Sequence, residues 1–192
     1  MKKNLITSVL MTIATTVLLG IFYPLVVTGI AQLFFRDKAN GQLIEQNGKI
    51  VGSRIIGQTF SGPRYFHSRP SAAGNGYDAS SSGASNLGPT NHALVDRIAA
   101  SVAAENSASP VPIDLVTTSG SGLDPDISPA AAEFQIARVS RERHVSEGLV
   151  RQLVRKHTVG RQWNFMGEPR VNVLELNLDL NNSFGKSAAG QP

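Results

Sequence analysis

The chain has 192 residues, 41% hydrophobic and 17% charged, enough for one modest core and its connections. Its 18 basic and 14 acidic residues give a formal charge of +4, but Lys2 and Lys3 carry half of that and the rest forms no basic stripe, which speaks against a nucleic-acid partner. The absence of cysteine removes disulfide frameworks, thiol nucleophiles and cysteine-ligated zinc.

Asn4 to Phe35 contains no charged residue. A helix of roughly 20 residues spans the ~30 Å hydrocarbon core, so this run predicts a transmembrane anchor with overhang. It is too long for the apolar region of a cleaved signal peptide, although Gly29 and Ala31 are spaced like a cleavage site. Pro24 and Gly20 are tolerated in lipid when freed backbone groups find partners. Thr12, Thr15, Thr16, Thr28, Gly20 and Gly29 offer the small and hydroxylated surface used in helix packing within bilayers. The positive leader at Met1, Lys2 and Lys3 places the N-terminus in the cytoplasm and the bulk of the chain outside.

Beyond the anchor, Asn47-Gly48 between two apolar patches predicts a β-hairpin. Ser61 to Thr90 reads as a long loop of small residues with two islands of aromatics and charge, a length that points to function or disorder. Thr90 or Asn91 caps a helix running to about Glu105, ended by Pro110 and Pro112. Ile113 to Val116 reads as a short strand. Ser128 caps a helix with Pro129 at its first position, and Ser146 begins another through Leu149, Val150, Leu153 and Val154. Val171 to Leu180 alternates apolar and polar residues like a half-buried strand. The expected fold class is α+β: anchor and leader at residues 1–36, a small mixed domain at 37–182, and a disordered tail at 183–192.

Several familiar motifs fail. Gly185-Lys186-Ser187 lacks the earlier glycine of a phosphate-binding loop, because position 180 is Leu. Asp37-Lys38-Ala39 lacks the Thr-Gly of a phosphorylated pump aspartate. His67, His92, His144 and His157 have no metal-ligand spacing, and no nucleophile elbow is present. No catalytic residue and no metal site are therefore expected. Three clusters remain: Tyr65-Phe66-His67-Ser68-Arg69-Pro70, Asn86 to Asn91, and Ser119-Gly120-Ser121-Gly122-Leu123-Asp124-Pro125-Asp126. Glycine-rich backbone could cradle an anion, whereas Asp124 and Asp126 would attract a cation.

With Gly57-Gln58-Thr59-Phe60, Arg69-Pro70-Ser71-Ala72, Ser85-Asn86-Leu87-Gly88-Pro89-Thr90-Asn91, Val116 to Pro125, Asp126-Ile127-Ser128-Pro129, Gln135-Ile136, Arg138-Val139 and Val171 to Asn177, the sequence resembles the C-subunit family of the Kdp potassium-transporting P-type ATPases. The resemblance covers nearly the whole chain and implies an accessory, non-catalytic subunit of a bacterial inner-membrane complex. Its implied partners are a potassium-channel-like subunit, a P-type ATPase subunit and membrane lipid. The family is described as a catalytic chaperone that raises the pump subunit's ATP affinity through a transient ternary complex, so ATP is the implied ligand and no cofactor is held tightly. That description conflicts with a Ser119–Asp126 loop outside the cytoplasm. Tyr65, Phe66, Arg69, Asn86, Asn91, Thr16 and Gly20 are the expected subunit-interface residues, with Tyr65, Phe66 and Arg69 as the expected anchors by the preference of interfaces for aromatics and arginine. An independent anchored enzyme or solute-binding module outside the cytoplasm is the alternative class.

Overall fold

The structure is a computed structural model that describes residues 1–105 and 107–185. It divides into two compact units, Met1–Val51 and one beginning at Gly52. In the first unit, α1 (Lys2–Val17), a π-helical turn (Leu18–Phe22) and α2 (Tyr23–Phe34) run together as a helix of 33 residues. At 1.5 Å per residue it reaches about 50 Å, and none of its residues is buried within the chain. Pro24 explains the π turn. In a regular α-helix its ring would press on the Gly20 carbonyl. Widening the preceding turn relieves that contact, and the Tyr23 N–H donates five residues back to the Leu18 carbonyl. The hydroxyls of Thr12 and Thr15 donate to the carbonyls of Ser8 and Met11 at 2.9 and 2.8 Å, so they need no water.

After a short α3 (Arg36–Ala39), strands β1 (Leu43–Gln46) and β2 (Lys49–Ser53) form the expected hairpin. Asn47 and Gly48 both take positive φ, 53° and 74°, the backbone that a two-residue primed turn requires.

The second unit has α4 (His92–Glu105), a 3₁₀ turn (Ile113–Leu115), β3 (Asp126–Ile127), α5 (Pro129–Arg143), α6 (Glu147–Lys156), β4 (Thr158–Val159), β5 (Arg170–Asn172) and α7 (Val173–Phe184). Antiparallel strands in the order β3-β5-β4 pair Ile127 and Thr158 with Val171. The core gathers Phe66, Ile127, Ile136, Val139, Val150, Val171, Leu176 and Leu180. The fold is α+β, as expected.

The caps explain the helices. Asn91 accepts from Ala93 N at 2.9 Å ahead of α4, and Ser128 accepts from Ala131 N at 3.2 Å ahead of α5. Two expected strands are corrected. Of the expected strand Ile113 to Val116, Ile113–Leu115 forms a 3₁₀ turn that starts directly after Pro112 and ends at Val116. Val171 to Leu180 is strand only to Asn172, whose side chain then accepts from Glu175 N at 3.1 Å and starts α7. Val173, Leu174, Leu176, Asn177 and Leu180 are buried together, a helical spacing hidden inside the alternation. The expected tail is corrected in part, since Ser183 and Phe184 complete α7; residues 186–192 lie outside the described residues.

Ser61 to Thr90 is irregular, as expected, yet part of it crosses the core. Asn177 of α7 grips Phe66 on both sides, its Oδ1 accepting from the backbone N–H and its Nδ2 donating to the carbonyl, each at 2.9 Å. Gln135 of α5 does the same to His67, at 2.7 and 3.2 Å. Arg138 donates to the carbonyls of Pro63 and Tyr65, and Arg143 to that of Arg64. Every carbonyl from Pro63 to His67 thus ends on a helix side chain, which replaces the ladder a strand would have supplied.

Asn177→Ala would orphan both backbone groups of the fully buried Phe66, and the expected loss of stability is about 2–5 kcal/mol, read by denaturation of the full chain in detergent; a loss within error of zero would refute the clasp. Burial holds the His67 imidazole below its ordinary range, outweighing the hydrogen bond to Gly62 O. The unfolded chain therefore binds this proton more readily, and stability that is full above about pH 6.5 falls as the solution is acidified. His67→Gln is expected to flatten that part of the stability profile.

Candidate functional site

The loop Ser119–Asp126 is built against the segment Gly57–Gly83, and Arg69 is its main fastening. The Arg69 guanidinium donates to Thr117 O (3.5 Å), Thr118 O (3.4 Å) and Asp124 Oδ2 (3.2 Å), tying the entry of the loop to its exit. Ser71 Oγ donates to Gly122 O at 2.6 Å while accepting from the N–H groups of Ala73 and Tyr77. Tyr77 closes this ring by donating its hydroxyl to Arg69 O. The Ser121 carbonyl accepts from Ser82 Oγ and Gly83 N, at 3.0 and 2.9 Å, and the Leu123 carbonyl from Gly57 N at 2.8 Å.

Consecutive carbonyls of Ser121, Gly122 and Leu123 therefore face the scaffold. The N–H groups of Gly122, Leu123 and Asp126 go to Ser119 O, Ser121 Oγ and Asp124 Oδ1 within the loop. An anion cradle needs several free N–H groups converging on one point, and these three are already engaged within the loop. Only the tip at Gly120 and Ser121 is exposed.

Beside the loop lies an open cleft of about 420 Å³ lined by Arg69, Asp114, Asp124, Asp126, Glu168 and Arg170. Its charges are largely spoken for. Asp114 accepts from Ser128 N at 2.7 Å, Asp126 pairs with Arg170 at 3.0 Å, and Glu168 pairs with Arg161 at 2.7 Å. Burial pushes the Asp126 carboxyl above its ordinary range, against the pull of Arg170. Among the described residues, no three histidines or carboxylates converge as a metal site would require.

The expected interface residues fall into different settings. Phe66 is fully enclosed, so its side chain is a core element and cannot itself meet a partner, which corrects its reading as a contact anchor. Tyr65 is half-buried, with the Arg143 guanidinium 5.0 Å from its ring centre. Arg69 is committed to the loop. Asn86 is exposed with a positive φ of 54°, and Asn91 is the α4 cap. Thr16 and Gly20 sit on the apolar helix of the first unit, one turn apart and one turn before Pro24. The sequence reading passed over the fastenings themselves, Ser71, Tyr77 and the amides Gln135 and Asn177, because nothing in residue type separates a buried amide clasp from an exposed side chain.

Gly122 has φ +66°, and a Cβ there would lie 2.6 Å from Gly83 O and 2.7 Å from Ala73 N. Both are backbone atoms that cannot step aside, so Gly122→Ala is expected to cost about 1–3 kcal/mol and to speed amide exchange at Gly83. Gly120 has open space around it, and Gly120→Ala is expected to leave that exchange unchanged. Equal effects from the two substitutions would show that the loop is not packed as described.

Comparison with known proteins places these features. The family described as KdpC, the c chain of K+-transporting ATPase, matches residues 5–182. The potassium-transporting ATPase KdpC subunit of Koribacter versatilis is 69% identical over 183 residues, covering 94% of this chain and 95% of that protein. The subunit of the same name from Acidobacterium capsulatum is 58% identical, covering 93% and 97%, and that from Methylobacterium nodulans is 50% identical, covering 97% and 100%. With the match running from the apolar helix through the Arg69-fastened loop to α7, the chain belongs to the KdpC family.

Proposed function

We propose that this chain is an accessory, non-catalytic subunit of an ATP-driven potassium import complex in a bacterial inner membrane. In this reading it stabilises the assembly with a channel-like subunit and a P-type ATPase subunit, and promotes pumping without a tightly bound cofactor. The observation that carries it is the fastening of Ser119–Asp126 to its scaffold through the carbonyls of Ser121, Gly122 and Leu123 and through Arg69. A loop held in this way supports a rigid docking body better than a phosphate cradle. Any rise in the pump's ATP affinity then travels as conformational coupling through the anchor helix. Cations are weakly favoured near the cleft, where four carboxylates face Arg69, Arg170 and, through Glu168, Arg161, a small negative excess.

The positive leader orients the N-terminus to the cytoplasm and the second unit to the periplasm, where ATP is scarce. The chain has no cysteine, so single probes read topology cleanly. Gly120 suits a probe because it is exposed and a side chain there meets nothing. In the chain expressed without partners, Gly120→Cys is expected to react with a membrane-impermeant thiol reagent on intact cells, and Asn4→Cys only after permeabilisation. The reverse pattern would overturn the periplasmic placement and make direct nucleotide chaperoning the leading mechanism.

A further inference from the structure

Between β4 and β5 the chain makes a hairpin whose tip carries Trp163, Phe165 and Met166, exposed by 78, 71 and 45%. Such side chains are rarely left together in water without a use. The two rings stack with centres 6.4 Å apart. Trp163 and Asn164 both hold the positive φ, 49° and 65°, that a tight hairpin turn calls for, and tryptophan stands at a position where glycine or asparagine would be less strained. The tip is also rigidly mounted, because β5 enters the core at the fully buried Val171.

Two further features bear on what the tip meets. Four of its backbone donors are satisfied internally: Gln162 and Met166 exchange hydrogen bonds at 2.8 and 2.9 Å, Asn164 N donates to Arg161 O, and Phe165 N to Gln162 O. No charged residue lies between Arg161 and Glu168, and those two neutralise each other through contacts of 2.8 and 2.7 Å. A loop with most of its backbone bonding internal, paired charges and aromatic and thioether side chains suits a bilayer interface, where some water remains for the other peptide groups.

We propose that this tip is an interfacial membrane contact, with Trp163, Phe165 and Met166 entering the headgroup and upper acyl region of a bilayer. Three side chains alone would bind lipid weakly and reversibly. The same chain, however, carries a helix long enough to span the membrane, and tethering converts a weak contact into an intramolecular one at high effective concentration. Lipid is favoured over a protein pocket because the exposed side chains of the tip are mainly aromatic and thioether, flanked by the uncharged amides of Gln162 and Asn164, the mix that suits a headgroup boundary. The inference rests on the membrane anchor but not on any role in pumping.

Trp163 is the chain's one tryptophan, so its emission reports the tip alone. The experiment reconstitutes the full chain in phosphatidylcholine–phosphatidylglycerol vesicles and confirms by flotation and carbonate resistance that the helix is inserted. Blue-shifted Trp163 emission, reduced about twofold by lipids brominated high on the acyl chain, is the expected result, with the quenching diminished in Phe165→Ser/Met166→Ser. Solvent-like emission quenched by aqueous iodide in vesicles where the helix is inserted would overturn the proposal and leave the anchor standing. Shielding that develops only when other membrane subunits are co-reconstituted would also overturn it, assigning the tip to a protein interface.

Discussion

The second unit depends on solving one problem, which is how to carry an irregular stretch of backbone through an apolar core. Pro63 to His67 brings in Phe66, which the core needs for volume, together with peptide groups that cannot be left unpaired. Among the described residues, no strand lies alongside to pair with them. The amides of Asn177 and Gln135 each present a donor and an acceptor in the arrangement of a peptide unit, so they complete the bonding of Phe66 and His67 as a neighbouring strand would. Arg138 and Arg143 cap the remaining carbonyls with charge-assisted bonds, the stronger class. Because these four side chains belong to α5 and α7, the irregular segment and the two helices hold one another in place.

That arrangement sets up the glycine-rich loop. With His67 fixed, Arg69 two residues later leaves the core at a defined point and reaches both ends of Ser119–Asp126. Ser71 and Tyr77 extend the same fastening. Gly122 and Gly57 are glycines for a shared reason: backbone passes within 2.6 Å of where a Cβ would stand at the first and 2.5 Å at the second. Their role is close approach between segments, whereas the exposed Gly120 has no such constraint. A loop that looks from its composition like a ligand cradle is, by its contacts, the inner half of a two-segment joint.

How much of this was legible depends on the range of the interactions. Features set by a few neighbouring residues were read correctly: the apolar anchor, the Asn47-Gly48 turn, the Asn91 and Ser128 caps, and Pro129 at the first turn of α5. The readings that failed were those in which local pattern is ambiguous and distant packing decides. Val171 to Leu180 satisfies both a two-residue and a helical periodicity, and the Asn172 cap, a local signal seen at other helices, was overlooked there. Phe66 looked like a contact residue because aromatics and arginine surround it, and only the fold places it inside. The clasp by Gln135 and Asn177 spans 68 and 111 positions in sequence, and a single sequence offers no way to pair them.

The charge distribution follows the same logic and limits what the unit can do. Many of its guanidiniums are engaged with carbonyls or individual carboxylates: Arg69 on Asp124, Arg170 on Asp126, Arg161 on Glu168, Arg54 on Glu175. Cations paired one by one are poorly suited to gripping a polyanion, which needs several unspent cations acting together. Large apolar groups are left exposed as well, on the flank of the N-terminal helix and at the Trp163–Met166 tip. Inside, the buried amides of Gln135 and Asn177 have their partners within the chain. The fastened interior gives the second unit its shape, and exposed apolar surfaces are where contacts with the surroundings gain most.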